Sequence, residues 1–272
     1  MRRKQLYETP SKIIYEGPEP DSVIQHFLDG GPDDGTGDGR GVLNNRISEY
    51  FYRHLEEVGM ATHFIRRVNM REQQLRRVET MPVAIMIRSV VDGIMASRLG
   101  IAPGTRLHRP VVEFMLNDHR LVDPLITDEH IANFGWVSPP ELDEMIILAT
   151  RTHDLISGML MACGYSLVDL RLEFGRFLES HAPRPGTPDE IRDEVRVVLC
   201  GDLSPDTMRL FDRGLSEPLE TTGYDVWRSI VAGSPIVEPS KVGASVHQDI
   251  AAKLGLLPQA SPIDMQGPAT LQ

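Results

Sequence analysis

The segment SLVDLRLEF, from Ser166 to Phe174, contains a run in which charged and apolar residues alternate. Asp169, Arg171 and Glu173 are each separated by one leucine. Side chains two positions apart point to the same face of a strand, so the run predicts one charged face and one apolar face. The apolar face is expected to be buried, and the charged face is a candidate site.

A second apolar strand, Val195 to Cys200, follows a polar insertion at residues 179–194. It stops at Gly201, and a Ser-Pro-Asp turn comes soon after. If the end of this strand lies near the first strand, it brings a second charged set toward the charged face. That set consists of Asp202, Asp206, Arg209 and Asp212. A Ser-Pro-Asp turn is equally common at the start of a helix, so a purely structural role is an equal alternative.

Helical patterns accompany the strands, which predicts a mixed α+β fold. The clearest helix begins at a capping box, Ser138-Pro-Pro-Glu141, and runs to a stop at Gly164. Two further helices are expected, one from an Asn44-Asn45 cap to Gly59 and one from Ser245 to Leu254.

The N-terminal region carries strand patterns. Leu6 to Tyr15 is expected to enter a hairpin, with Val23 to Phe27 as its partner. THFIRRV and VETMPVAIMIRSVV predict two more strands, the second interrupted by Pro82. Residues 29–41 are almost entirely glycine and aspartate, which predicts a flexible anionic loop, and residues 257–272 have a disordered composition.

Charge and cysteine content exclude some function classes. The 272 residues carry a formal net charge of −11 with no lysine-rich block, which argues against nucleic-acid and anionic-membrane partners. No apolar run approaches the roughly 18 residues that a membrane span requires. Two cysteines without CxxC spacing favour a reducing cytoplasmic location, with Cys163 and Cys200 in the core.

Each candidate site has a structural alternative. Asp169, Arg171 and Glu173 could hold Mg²⁺ and an anionic substrate, or they could form cross-strand ion pairs on a solvated face. Arg88 follows the apolar run VAIMI, where an arginine is costly unless it is paired. It could therefore bind a phosphate or an acidic side chain. His63 and His153 are expected to be packed or surface residues.

Five stretches, in order along the chain, together resemble the SAICAR synthetase family. They are GVLNNRISEYFYRHLEEVGMATHFIRRV, RSVVDGIMASRLGI, EHIANFGWVSPPELDEM, LVDLRLEFGR and SPDTMRLFD. The resemblance implies a two-part α+β fold, with an N-terminal antiparallel-sheet domain at residues 1–83 and a larger α+β domain at 84–236. Residues 237–272 would form a C-terminal helix and tail. A homodimer is also implied.

The resemblance also implies an ATP- and Mg²⁺-dependent ligase that joins aspartate to the carboxylate of an aminoimidazole ribonucleotide. By motif, Arg88 and Arg209 would hold the substrate phosphate, and Lys12 would contact the nucleotide. Glu173 and Asp202 would be metal ligands. Asp169 and Arg171 would lie where the substrate carboxylate meets aspartate, with Arg171 in place of the family's lysine.

The chain departs from the family pattern mainly on the nucleotide and metal side. The family's EGKAK is ETPSK here, which places Pro10 where the family has a lysine. Gly201 replaces a carboxylate that binds the metal in the family, and Tyr224 replaces a family lysine. Ala84 replaces a family glutamate. Ile94 replaces a family serine that helps to hold the substrate phosphate. These losses leave two alternatives open: a repurposed enzyme of specialised metabolism that no longer uses ATP, for example a lyase or hydrolase, and a non-catalytic binding paralogue.

Overall fold

The computed structural model describes residues 3–9, 11–29, 39–121, 123–181, 192–213, 218–219 and 243–257. Within these ranges, strands form two antiparallel sheets and helices pack against them. The α+β class predicted from the sequence is confirmed. The predicted tail and the centre of the insertion, residues 182–191, lie outside the described residues, as does most of the glycine- and aspartate-rich loop.

The first sheet comprises five strands from the N-terminal region, in the order β1-β2-β3-β5-β4. Their bounds are Gln5–Glu8 (β1), Lys12–Glu16 (β2), Ser22–Phe27 (β3), Phe64–Arg67 (β4) and Glu72–Arg76 (β5). The expected hairpin is therefore two strands, β1 and β2, and β3 pairs with β2 as predicted. The strand β5 was not predicted, because its sequence EQQLR lacks an apolar alternation.

The second sheet is built around one long strand. Its strands are Glu79–Thr80 (β6), Val83–Val90 (β7), Arg106–Leu116 (β8), Leu125–Ile126 (β9), Tyr165–His181 (β10), Arg192–Cys200 (β11), Met208–Asp212 (β12) and Pro218–Leu219 (β13). Pro82 separates β6 from β7, as the sequence predicts. The ends of the insertion predicted at 179–194 instead belong to β10 and β11, which pair as far as His181 and Arg192.

The strand β10 changes neighbours along its 17 residues. Its first part lies between β12 and β7, through residues 165–170 and 169–172. From Glu173 onward it pairs with β11 instead, and β6 joins it at residues 175–176. The alternating charged residues lie across this exchange of partners. Asp169 and Arg171 therefore have different neighbouring strands from Glu173.

Five helices complete the described fold: Arg40–Glu57 (α1), Gly93–Leu99 (α2), Asp128–Phe134 (α3), Pro139–Ala162 (α4) and Gly243–Lys253 (α5). The α4 and α5 helices match their predicted positions closely. Apolar residues of α1 and α4, including Phe51, Leu55 and Ile156, are completely buried and join the sheets in one core. Cys163 and Cys200 are both buried in this core region, as expected.

The predicted start of α1 is wrong. The helix begins at Arg40, and the residue at its N-cap is Gly39 in a left-handed conformation. Asn44 and Asn45 lie inside the helix and are buried, because their side chains bind other parts of the fold. Asn44 Nδ2 donates to Asp206 at 2.6 Å, and Asn45 Nδ2 donates to the backbone oxygen of Asn69 at 2.8 Å.

No helix within the described ranges has the length and apolarity needed to cross a lipid bilayer. The domain boundaries at residues 83 and 236 stay a prediction.

The capping box of α4 yields a stability prediction. The Ser138 backbone N–H donates to Glu141 Oε2 at 2.9 Å, and Arg176 Nε of β10 donates to Glu141 Oε1 at 2.6 Å. The hydrogen bond from Arg176 lowers the pKa of Glu141 to about 2. Glu141→Gln should therefore reduce the free energy of unfolding at pH 7 by about 1–2 kcal/mol.

The effect of Glu141→Gln should depend on pH. A carboxyl group whose pKa falls on folding stabilises the protein above its unfolded pKa and loses that contribution as pH falls. The difference between wild type and variant should hold from pH 7 to 5 and shrink below about 4.5. Urea unfolding measures it, with Glu144→Gln on the exposed face of α4 as the control. An equal loss in both variants would contradict the assigned role.

Candidate functional site

One aspartate joins two arginines from neighbouring strands. In the register of the sheet, Asp169 of β10 lies opposite Arg88 of β7 on one side and opposite Arg209 of β12 on the other. Arg88 Nη1 donates to Asp169 Oδ2 at 2.6 Å, and Arg209 Nε donates to the two carboxylate oxygens at 3.1 and 2.9 Å. Arg209 Nη2 also donates to Asp169. Three predicted site residues therefore meet in one ionic group.

Two further carboxylates complete this group. Arg88 Nε donates to Glu113 Oε2 of β8 at 2.6 Å, and Arg209 Nη1 donates to Asp92 Oδ2 at 2.8 Å. Burial would raise the pKa of Glu113, but hydrogen bonds from Arg88 and Arg98 outweigh it and hold the pKa below its ordinary value. We call Arg88, Arg209, Asp169, Glu113 and Asp92 the arginine cluster.

Arg171 lies two residues further along the same face of β10 and is buried. Its Nη1 donates to Glu173, and its Nη2 donates to Asn117 Oδ1 at 2.7 Å. Asp123, which is also buried, has its Oδ2 3.4 Å from Nη2 of Arg171. Asp123 has a φ of 45°, an uncommon conformation for a residue other than glycine. The guanidinium of Arg171 thus connects the arginine cluster's face to Glu173.

A cleft of about 170 Å³ lies between the two sheets. We call it the intersheet cleft. Its apolar wall comes from the first sheet, with Ile14 and Leu75 among its members. Lys12 enters from β2, while Glu173 and Gly201 form the opposite wall. The cleft therefore combines an apolar surface with one lysine, two arginines (Arg76 and Arg77) and one carboxylate.

Electrostatic coupling links Lys12 to the acidic residues around the cleft. Burial would lower the pKa of Lys12, but attraction to Tyr7, Glu173 and Asp202 outweighs it and raises the pKa. Burial raises the pKa of Asp202 to about 6, against the opposing effect of Lys12. Its Oδ2 accepts from Ser204 Oγ at 3.0 Å, whereas Oδ1 is buried without a hydrogen-bond partner among the described residues. A cation beside Asp202 would satisfy this oxygen.

His63 is packed in the interior, one of the two positions that the sequence predicts, and it also lines the intersheet cleft. Burial lowers the pKa of His63 to about 3, so the imidazole is neutral at physiological pH and is not a base there. Its ring lies against Tyr52, with centroids 5.4 Å apart. Its Nε2 is buried, and no group within the described part of the chain hydrogen-bonds to it.

Not all predicted residues reach the site. Asp206 is buried and accepts from Asn44 and from His247 Nε2, which lies 3.1 Å away on α5. The Ser-Pro-Asp turn therefore anchors α1 and α5 rather than contributing a carboxylate to the cleft. Burial would raise the pKa of Asp206, but the hydrogen bond with His247 outweighs it and lowers the pKa. Pro10, Tyr224 and the side chain of Asp212 lie outside the described residues.

Sequence reasoning missed several members of the site. No sequence pattern singles out Glu113, Asn117, Asp123 or, within the stretch RSVVDGIMASRLGI, Asp92; sheet register brings Glu113 to the site, and residues outside the strands supply the other three. The positive φ of Asp123 gives no sequence signal. Cross-strand pairing between β7 and β8 places Glu113 opposite Met86, two residues from Arg88. Knowledge of that register would have identified Glu113.

Gly201 occupies a position where the backbone favours glycine. Its φ is +87°, and a Cβ atom built there would lie 2.9 Å from Glu173 Oε2 and 3.1 Å from Glu173 Cβ. An aspartate at 201 would be strained and would displace the Glu173 carboxylate. Gly201 stands where the family has a carboxylate. The local backbone and the position of Glu173 both favour glycine there.

Gly201→Ala tests this packing. The positive φ should cost about 1–2 kcal/mol of stability, and the contact with Glu173 should add to that loss. Gly59→Ala is a matched control, since Gly59 has a φ of +77° with open space around the position of a Cβ. Thermal or urea unfolding should show a larger loss for Gly201→Ala than for Gly59→Ala. Equal losses would mean that Glu173 does not restrict position 201.

Comparison with protein families gives one match over most of the chain, the SAICAR synthetase family model, at residues 5–231. Among curated proteins, the chain is 41% identical to a phosphoribosylaminoimidazole-succinocarboxamide synthase of Gluconacetobacter diazotrophicus, over 100% of this chain and 99% of the relative. A protein of the same name from Acidiphilium cryptum is 40% identical, with the same coverage.

Solved structures give a concordant result. The phosphoribosylaminoimidazole-succinocarboxamide synthase of Ehrlichia chaffeensis superposes with a TM-score of 0.74 at 29% identity, covering 94% of this chain and 100% of the other. A SAICAR synthetase in complex with ADP superposes with a TM-score of 0.69 at 28% identity, over 90% and 97% of the two chains. The similarity therefore extends through both sheets and the site between them.

Proposed function

This chain belongs to the SAICAR synthetase family, and we propose that it is a carbon–nitrogen ligase that joins aspartate to a carboxyaminoimidazole ribonucleotide. The full-length relatives described above carry the name of this reaction. The single observation that carries the proposal is that Asp169 of the arginine cluster and Glu173 of the intersheet cleft lie on one face of β10, with Arg171 between them.

The arginine cluster supports a substrate that carries a phosphoribosyl group. Guanidinium groups bind phosphate through paired, charge-assisted hydrogen bonds, and they keep their charge at any physiological pH. Arg88 and Arg209 lie on opposite sides of Asp169, which fixes the position of both guanidinium groups. We assign them to the phosphate of the ribonucleotide.

The intersheet cleft supports nucleotide binding. Its apolar wall suits a planar base, and the raised pKa of Lys12 keeps the ammonium charged beside a polyphosphate. A SAICAR synthetase of the same fold has been solved in complex with ADP, which supports nucleotide binding as such. We therefore assign ATP to this cleft, with Lys12 as the residue that holds its phosphates.

Two carboxylates near Lys12 are suitable for Mg²⁺. Burial, together with the nearby Glu173 carboxylate, raises the pKa of Asp202, and Asp202 has a buried oxygen without a hydrogen-bond partner among the described residues. No group of three potential metal ligands occurs among the described residues, but Mg²⁺ commonly uses one or two carboxylates and completes its shell with phosphate oxygens and water. When bound, the ion would neutralise charge on the transferring phosphate.

The proposed reaction has two stages. The substrate carboxylate attacks the terminal phosphorus of ATP, which releases ADP and forms an acyl phosphate. The aspartate nitrogen then attacks the acyl carbon, phosphate leaves, and the nitrogen loses a proton. Within this scheme Arg171 lies between the phosphate-binding arginines and Glu173, where it can orient carboxylates of both substrates.

The departures from the family pattern do not favour another reaction. The relatives described above are named for the ligase, which gives no support to a repurposed lyase or hydrolase, to a specialised pathway or to a non-catalytic paralogue. Ala84 is buried in β7, and Ile94 is 44% exposed on α2. Both side chains are apolar, so neither adds a charge to the arginine cluster. A homodimer, a cytoplasmic location and the absence of nucleic-acid and membrane partners stay predictions.

The activity is tested by ADP release. Purified protein with Mg-ATP should release ADP only when both the carboxyaminoimidazole ribonucleotide and aspartate are present, and mass spectrometry should detect the amide product. ADP release that is independent of aspartate, or no product from folded protein, would contradict the proposal.

Lys12→Ala and Glu173→Ala should each lower kcat/KM for ATP by about 10- to 100-fold, because each removes a charge-assisted contact. Lys4→Ala is the matched control, since Lys4 is exposed in the same sheet region and pairs only with Glu16 among the described contacts. Steady-state kinetics measure the effect. Full activity in both site variants would show that the intersheet cleft does not hold the nucleotide.

A further inference from the structure

Asp92 accepts a hydrogen bond from one nitrogen of the Arg209 guanidinium. Its Oδ2 accepts from Arg209 Nη1 at 2.8 Å, on the edge of the guanidinium that does not face Asp169. An anionic ligand that approaches Arg209 from the surface would compete with this carboxylate. Asp92 lies in the family-like stretch RSVVDGIMASRLGI, but no sequence pattern assigns it a role.

The local backbone shows that this contact is preferred over a common alternative. Asp92 is the N-cap residue of α2, with φ −157° and ψ 166°, yet its side chain makes no capping hydrogen bond. Aspartate at this position usually accepts from the first helical turn. Here the carboxylate binds Arg209 instead.

Gly93 allows the guanidinium to approach this turn. Its φ is +52°, and a Cβ atom built on it would lie 2.9 Å from Arg209 Nη1. Any larger residue would push Arg209 away from Asp92. The Asp92-Gly93 turn is therefore shaped around the arginine.

Exposure separates Asp92 from the other two carboxylates of the arginine cluster. The side chains of Asp169 and Glu113 are 4% and 9% exposed, whereas that of Asp92 is 26% exposed. Moving a buried carboxylate away from its arginine leaves an unpaired charge in the interior, which is costly. Asp92 can move into solvent at lower cost, so it is the carboxylate that a ligand would displace.

We propose that Asp92 is a specificity-determining residue that competes with the substrate's phosphate for Arg209 and is displaced when the ribonucleotide binds. This inference rests on the proposed function, because it takes the phosphate of that substrate as the competing anion. Weakly charged anions do not compete with a carboxylate that is already tethered, whereas a phosphate dianion with further contacts to Arg88 does. The residue thus lowers the affinity of Arg209 for every anion, and only a ligand with further contacts, such as the complete substrate, binds well despite this competition.

The test compares wild type with Asp92→Asn, which keeps the shape of the side chain and removes its charge. Asp143→Asn is the matched control, since Asp143 is exposed on α4. Calorimetric titration with ribose 5-phosphate should show binding about tenfold tighter to Asp92→Asn than to wild type, and no change in Asp143→Asn. Ribose itself should show no difference among the three proteins.

Ligation kinetics provide the second measurement. Asp92→Asn should lower KM for the ribonucleotide, because the phosphate then no longer competes with a carboxylate for Arg209. Unchanged ribose 5-phosphate affinity in folded Asp92→Asn would overturn the inference, as would weaker binding. If wild type forms no ligated product, the proposed function fails, while the binding comparison still decides whether Asp92 competes for Arg209.

Discussion

The ion pairs of Asp169 set the geometry of the whole site. This carboxylate lies opposite Arg88 on one neighbouring strand and opposite Arg209 on the other, so it fixes two guanidinium groups from separate parts of the chain. All three are largely buried, and removing one partner of such a pair typically costs about 3–5 kcal/mol. The arrangement therefore determines both the register of the sheet and the position of the two phosphate-binding candidates.

The central strand converts this local interaction into a site that spans two sheets. Because β10 exchanges its neighbours between Leu172 and Glu173, the arginine cluster lies on one side of the exchange and the intersheet cleft on the other. Arg171 lies between the two along β10 and donates to Glu173. A phosphate at the arginines and a nucleotide at Lys12 would approach each other along the charged face of a single strand, which is the arrangement that a ligase of this kind requires.

The sequence predicted these elements where a local pattern was strong. The alternation in β10 and the capping box of α4 each depend on neighbouring residues, so both were predicted correctly. The start of α1 was wrong because Asn44 and Asn45 have a tertiary role that outweighs their preference for helix caps. The polar strand β5 was missed because its residues are ordered by cross-strand pairing and by contacts with α1.

The site could be predicted only in part, because tertiary contacts bring some of its residues together without a local sequence pattern. Asp169, Arg171, Glu173, Arg88 and Arg209 were identified from alternation, burial cost and family resemblance. No sequence pattern singles out Glu113 or Asp92, and they reach the site through sheet register and a turn. Asp206 has the right residue type and spacing, but its burial against α1 and α5 directs it away from the cleft.

The central claim, that the arginine cluster holds the phosphate of a ribonucleotide substrate, is tested most directly by calorimetric titration of the wild-type protein with two ligands. These are the carboxyaminoimidazole ribonucleotide and the corresponding nucleoside without its phosphate. The account predicts that the ribonucleotide binds at least about tenfold more tightly, because the phosphate makes charge-assisted contacts with Arg88 and Arg209. Equal affinity for the two ligands would contradict it.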